Sequence, residues 1–278
     1  MLKNEKISSS YNNIIIIIIL CLTLILIFTC CEKDTEIKDN AVNTEVGKLI
    51  GYPDLNSFIK RMSFEVKQDL RNKLNDYLKK EKLDINEGKG YVTGDPEALY
   101  RIIEITDFNC SHCKELSEIL YYLSKRLGNH IYIESRLFPL DKECNPKVSD
   151  ASPFNDKGGC QLAKASICAG KQGKFFEFKH SLFSHMYYDY RNRIKSAIDE
   201  TNLNKKKFDE CMLSDYPEKK LDESIKSAVS LNIRGTPMLI WNNKEIPVNR
   251  ILIVAMLLSY NNPQHKTFKK LLPPLNEE

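Results

Sequence analysis

No charge of one sign dominates this chain of 278 residues: 41 Lys and Arg stand against 37 Asp and Glu, a formal net charge of +4. The two signs are interspersed, so the basic face that a nucleic-acid partner requires is missing. No internal repeat is visible, which excludes stacked-repeat architectures. Long apolar runs are equally scarce: the one that stands out is Ile14 to Phe28. A second CxxC is also lacking and the other thiols are scattered, so the paired-ligand spacing of a structural zinc site is absent and no metal is assigned. No flavin or quinone site shows, so no cofactor is assigned. The length suffices for a substantial core, as one large domain or one domain carrying an insertion.

Cysteine is plentiful, with nine: Cys21, Cys30, Cys31, Cys110, Cys113, Cys144, Cys160, Cys168 and Cys211. Such a set suggests metal or catalysis in the cytosol, and disulfides behind an export signal. Lys3 and Lys6 precede the apolar run, which is short for a membrane span; together they read as an export signal, with an uncleaved anchor as the alternative. The run closes Ile27-Phe28-Thr29-Cys30-Cys31, which resembles a bacterial lipoprotein signal with Thr29 where a smaller residue is usual. Ile27 favours Cys30 as the lipidated residue. Parity favours Cys31, which leaves six downstream thiols instead of seven. Cys30 is adopted, and either choice puts the mature chain outside the cytoplasm, periplasmic or otherwise extracytoplasmic, on a membrane lipid anchor.

After this signal or anchor (1–30), residues 31–53 are polar, with Gly47, Gly51 and Pro53, and read as a tether. Residues 54–89 form a helical extension. The stripe Leu55, Ile59, Met62, Val66, Leu70, Leu74 and Leu78 predicts one amphipathic helix of about six turns, packed on the domain or serving as a dimerisation stalk. Gly88 to Pro96 is turn-rich. Strands are predicted over 100–108 and 130–138, and the apolar spacing of Cys113, Leu116, Leu120, Leu123 and Leu127 puts a helix between them: a βαβ unit. Helical patterns then fill 160–232, broken near 170–173, Asp189 and 214–217. A hairpin over 237–247 turns at Asn242-Asn243, a helix runs over 249–260, and 263–278 is a tail.

At the turn between the first strand and its helix stands Cys110-Ser111-His112-Cys113. A helix N-terminus favours an anion, and the thiolate is the nucleophile of disulfide exchange. Cys113, three residues on, is close enough to attack a mixed disulfide formed at Cys110.

With Gly94-Asp95-Pro96, the run 107–113, Arg136-Leu137-Phe138-Pro139-Leu140, the run 173–183 and Gly235-Thr236-Pro237, the chain resembles the DsbA-like branch of the thioredoxin superfamily over roughly 90–262. The resemblance implies an α/β thioredoxin fold with a helical insertion at about 141–232, preceded by the N-terminal amphipathic helix. It implies that Cys110 is the exposed nucleophile of low pKa, Cys113 the shielded resolving thiol, and His112 a ring that donates to the thiolate or adds positive charge. Pro237 would be a cis-proline beside the dithiol, and Thr236 would offer backbone groups to an extended substrate. Glu104 matches a buried acidic position that assists proton transfer, although alternation also allows an outward face paired with a lysine. Structural disulfides Cys144–Cys160 and Cys168–Cys211 are proposed by the same analogy; four cysteines allow three connectivities.

The function so implied is a thiol–disulfide oxidoreductase introducing disulfides into exported proteins that carry cysteine thiols, reoxidised by a separate membrane redox partner, by analogy a quinone-linked oxidase. Ser111 stands where strong oxidants of the family commonly carry proline, which leaves open a reductase or isomerase kept reduced by a membrane donor. A non-catalytic, chaperone-like binding lipoprotein is the third reading.

Overall fold

The computed structural model describes residues 46–155 and 157–274. The leader over 1–30, with Cys30 and Cys31, lies outside the described residues. At the centre is a five-stranded sheet in the order β1-β3-β2-β4-β5, built from β1 (Tyr91–Gly94), β2 (Tyr100–Thr106), β3 (Ile131–Leu137), β4 (Met238–Trp241) and β5 (Lys244–Ile246). β2 runs parallel to β3, with Ile102 opposite Ile133, and antiparallel to β4, with Ile105 opposite Met238. A parallel pair needs a crossover, and α3 (Ser111–Leu127) supplies it. Asn242 and Asn243, at φ 49° and 63°, turn the β4–β5 hairpin in the left-handed region that asparagine tolerates.

Alternation along β2 sends Tyr100 and Ile102 into one core with Leu239 and Trp241, and Ile103 and Ile105 into a second with Ile240. The second core is closed by the helices inserted between β3 and β4: α4 (Gly159–Gly170), α5 (Phe175–Ser184), α6 (Tyr190–Glu200), α7 (Lys205–Met212) and α8 (Tyr216–Ser230). The breaks fall where expected, with one more before α7, where Asn204 caps the helix by accepting from the Lys207 N–H. The first core is closed by α3, the N-terminal helices and α9 (Arg250–Leu258).

Three expectations about the ends are corrected. The single helix over 55–78 is two, α1 (Leu55–Lys60) and α2 (Phe64–Lys79). Ser63 is extended (φ −64°, ψ 169°) and its hydroxyl accepts from the Val66 N–H, so an N-cap restarts the helix with Leu70 and Leu74 on the core, while Leu78, at the end of the stripe, is exposed. The expected tether is packed from residue 46 onward: 46–50 are helical, and Val46 and Ile50 are buried. The expected tail holds α10 (Lys266–Leu271), which buries Phe268 while Arg71 donates to the carbonyls of Phe268, Leu272 and Pro273. The N-terminal helices thus pack on their own domain. Tyr77 OH also donates to the Trp241 carbonyl (3.1 Å), and the Trp241 indole donates to Asn261 Oδ1 (2.6 Å).

If the extension is part of one cooperative unit, Leu74→Ala, at a position 2 % exposed, lowers the whole urea transition by about 3 kcal/mol. A separate early transition in that variant would show that the extension folds independently.

Candidate active site

β2 ends at Thr106, and the chain turns through Asp107, Phe108 and Asn109 before α3. Cys110 is the N-cap of α3, with extended backbone (φ −88°, ψ 119°). The turn is held from both sides. Asp107 accepts through Oδ1 from the Asn109 N–H (2.7 Å) and through Oδ2 from the Leu140 N–H (3.1 Å). Arg193, buried on α6, donates to the Phe108 carbonyl (2.7 Å), Asn109 Oδ1 (2.8 Å) and the Leu182 carbonyl (3.1 Å).

Cys110 and Cys113 are both free thiols; Cys110 is 5 % exposed and Cys113 is completely buried. The Thr236–Pro237 bond is cis. Because Met238 pairs with Ile105, the residues just before β4 lie beside the turn that follows β2. There the Cys110 thiol donates to the Thr236 carbonyl (3.3 Å), and the Asp107 N–H donates to Cys113 Sγ (3.4 Å).

The two sulfurs are driven apart in acidity. Cys110 is brought down to about 6, first by the Cys113 S–H donating to its thiolate, with burial opposing, and then by the N–H of Cys113, the Thr236 side chain and the N–H of His112. Cys113 is pushed well above the ordinary thiol value by burial and by that same donation. Thr236 Oγ1 is buried without a well-formed hydrogen bond among the described residues, yet it favours the ionised form of both sulfurs. Burial pushes the Asp107 carboxyl up to about 6, against the N–H groups of Leu140 and Asn109; the Cys110 thiolate adds to the rise and Arg193 opposes it.

His112 is exposed, with Nδ1 3.6 Å from Glu115 Oε2. What it gives the Cys110 sulfur is its backbone N–H. Glu104 is buried on the face of Ile102, accepts from Ser135 Oγ (2.9 Å) and pairs with the Lys179 ammonium. Burial holds Lys179 down, at about 7. No hydrogen bond joins Glu104 to either thiol among the described residues. Disulfides join Cys144 to Cys160 and Cys168 to Cys211, with Cα–Cα distances of 5.8 and 5.7 Å. The loop closed by the first touches the site, since Asn109 Nδ2 donates to the Lys157 carbonyl (3.2 Å).

Two residues of the site, Asp107 and Arg193, have no role in the sequence reading. Asp107 was findable: an aspartate two residues before an asparagine, ahead of a helix start, is an Asx-turn signal. Arg193 had no local signal, being one basic residue on a basic helix, 85 positions from Phe108.

The family model described as Thioredoxin matches residues 86–252, more than half of the chain. Among curated proteins, the Na(+)/H(+) antiporter NhaA 1 of Mycolicibacterium gilvum (strain PYR-GCK) is 26% identical over 165 residues, 58% of this chain and 24% of that protein. The chain therefore spans about a quarter of such a relative. Among solved structures, BdbD from Bacillus subtilis superposes with a TM-score of 0.52 at 16% identity, covering 68% of this chain and 98% of that one. The thiol-disulfide exchange protein alpha-DsbA2 from Wolbachia pipientis gives a TM-score of 0.50 at 16% identity, covering 70% and 98%. These likenesses show the fold: a DsbA-like thioredoxin fold with inserted helices.

Alkylation of Cys110 in the reduced protein is expected to be half-maximal near pH 6, since its folded value is lowered to about 6. Cys113→Ala removes the strongest donor and moves that midpoint upward; a midpoint unchanged by Cys113→Ala would sink the account of its origin. Arg193→Ala leaves the Phe108 carbonyl and Asn109 Oδ1 unpaired in a buried turn and should lower stability by about 2–3 kcal/mol in chemical denaturation, whereas Arg193→Lys recovers part of the loss.

Proposed function

The chain belongs to the thioredoxin family, and we propose that it is an extracytoplasmic thiol–disulfide oxidoreductase that introduces disulfides into exported proteins by exchange at Cys110 and Cys113. The observation that carries this reading is the split between the sulfurs, Cys110 brought down to about 6 and Cys113 raised. A thiolate stabilised at Cys110 favours the reduced protein, so its disulfide is the less stable partner and passes oxidising equivalents onward. A substrate thiolate attacks Cys110 Sγ, the Cys110–Cys113 bond breaks, and Cys113 leaves with the electron pair and takes up a proton. A second substrate thiolate then attacks the substrate sulfur of the mixed disulfide and releases Cys110 as the thiolate. Two substrate thiols give two electrons to the protein and lose two protons, one to Cys113 and one to solvent, and leave joined as a disulfide.

Thr236 is the residue positioned to meet an extended substrate. Its carbonyl accepts from Cys110 only while that sulfur is protonated, and is free of that bond once the sulfur ionises or is bonded elsewhere. The Cys144–Cys160 and Cys168–Cys211 bonds suit an oxidising compartment, in keeping with the leader over 1–30 and a lipid anchor at Cys30. No helix among the described residues is long and apolar enough to cross a membrane. Reoxidation falls to a separate membrane redox partner, by analogy a quinone-linked oxidase. The isomerase alternative drew on a dimerisation stalk at 55–78, and Leu70 and Leu74 are instead buried against the chain's own core.

Equilibration of the mature protein with glutathione tests the direction. A reduction potential above that of the glutathione couple is expected, with mixed disulfides accumulating in Cys113→Ala. A potential as low as that of thioredoxin, about −270 mV, would reverse the direction and make the protein a reductase.

A further inference from the structure

Next to Thr236 opens a groove of about 680 Å³ at the margin of the second core. Phe138 and Leu140, which follow β3, line it together with Phe154 and Ile233. Lys147 and Arg234 also line it; both are exposed, and neither has an ion-pair partner among the described residues. No carboxylate lines the groove among the described residues. The wall carrying Lys147 and Phe154 is a built loop. Cys144–Cys160 closes it, Ser152 Oγ donates to the Leu140 carbonyl (2.8 Å), and Asn155 Nδ2 donates to the carbonyls of Ser149 (3.2 Å) and Asp150 (3.0 Å). Such a wall is preorganised and loses little freedom when occupied.

The groove adjoins the dithiol through Thr236. Thr236, which lines it, places its carbonyl 3.3 Å from Cys110 Sγ. A polypeptide whose sulfur is joined to Cys110 must pass Thr236, and at about 3.3 Å per extended residue its next few positions reach the groove. An apolar lining that also carries two unpaired cations selects for an apolar side chain accompanied by negative charge.

We propose that this groove is a specificity subsite for the segment beside the reacting cysteine of a substrate polypeptide, and that it takes apolar residues flanked by Asp or Glu. The assignment rests on the exchange reaction proposed above and adds to it the chemistry of the preferred substrate.

The test uses the oxidised protein and two peptides of equal length, each with one cysteine followed by Phe-Glu-Glu or Phe-Lys-Lys, with dithiothreitol in parallel. The readout is the ratio of the two peptide rate constants, in which any change in the intrinsic reactivity of Cys110 cancels. The wild-type protein should favour the acidic peptide by about tenfold at low salt and by less at high salt. The charge reversals Lys147→Glu and Arg234→Glu should each shrink the ratio and together invert it. A ratio near one in the wild-type protein, or one unmoved by the double reversal, overturns the subsite. A dimer on light scattering that the double reversal dissolves would give the groove to a second copy of the chain and overturn the subsite equally. If dithiothreitol also fails to reduce Cys110–Cys113, the exchange reaction itself is wrong; if dithiothreitol reacts and the ratio is flat, only the subsite falls.

Discussion

A negative charge on one sulfur, held where water scarcely reaches, is the constraint around which the rest is arranged. Burial alone would push the Cys110 thiol up, as it does Cys113. What reverses the sign is a set of donors, namely the Cys113 S–H and the first peptide N–H groups of α3. Each hydrogen bond to a charged group contributes about 1.5–3 kcal/mol, so a few of them outweigh the desolvation of the buried thiolate. The donors are useful only if Cys110 stays at the N-cap and Cys113 stays under it. That requirement explains why the dithiol follows β2, the central strand, which is fixed by partners on both edges.

The same requirement accounts for Asp107. A second buried anion beside the thiolate is unfavourable, and each raises the other's proton affinity. The carboxylate persists because it accepts from two backbone N–H groups that shape the turn, one of them on Leu140 beyond β3. Arg193 supplies the compensating positive charge. That guanidinium comes from α6, so an inserted helix is joined to the turn by two donated hydrogen bonds, and a third, to the Leu182 carbonyl, ties it to α5. Cys168–Cys211 in turn ties α4 to α7, giving the insertion an internal crosslink. The insertion therefore belongs to the architecture of the dithiol as much as the sheet does.

Legibility in the sequence follows the periodicity of the forces. β2, β3 and α3 repeat apolar residues at two or at three to four positions and were placed to within about two residues, the usual uncertainty of boundaries, while the inserted helices were legible as one helical stretch whose break before α7 was not. Cys110, Cys113, Thr236 and Pro237 were legible because a dithiol at a strand-to-helix turn and a Gly-Thr-Pro before a late apolar strand are local patterns. Arg193 was not, since its partners lie far along the chain. The break at Ser63 was hidden because the cap interrupts the backbone without interrupting the stripe: Leu70 and Leu74 stay in register with Leu55 and Ile59.

β1 was missed for the converse reason. Tyr91 and Thr93 are only half-buried and Val92 is exposed, so no apolar alternation marks the strand. What holds it is polar. Glu134 on β3 accepts from the N–H groups of Gly88, Lys89 and Gly90, and from Arg136, which itself donates to the Asn86 carbonyl and Ser227 Oγ. Gly94, at φ 88°, completes the fit, because a Cβ there would collide with the Ile131 carbonyl oxygen. Buried ion pairs contribute little net stability against an apolar replacement, but losing one partner strands the other at a cost of about 3–5 kcal/mol. Glu134–Arg136 therefore fixes register where hydrophobic burial is too weak to choose it, and Glu104–Lys179, with Ser135, does the same between the sheet and α5. Both carboxylates sit on the paired strands β2 and β3, opposite Ser135 and Ile103 respectively. The strands that carry the dithiol turn are thus pinned on both faces by charge.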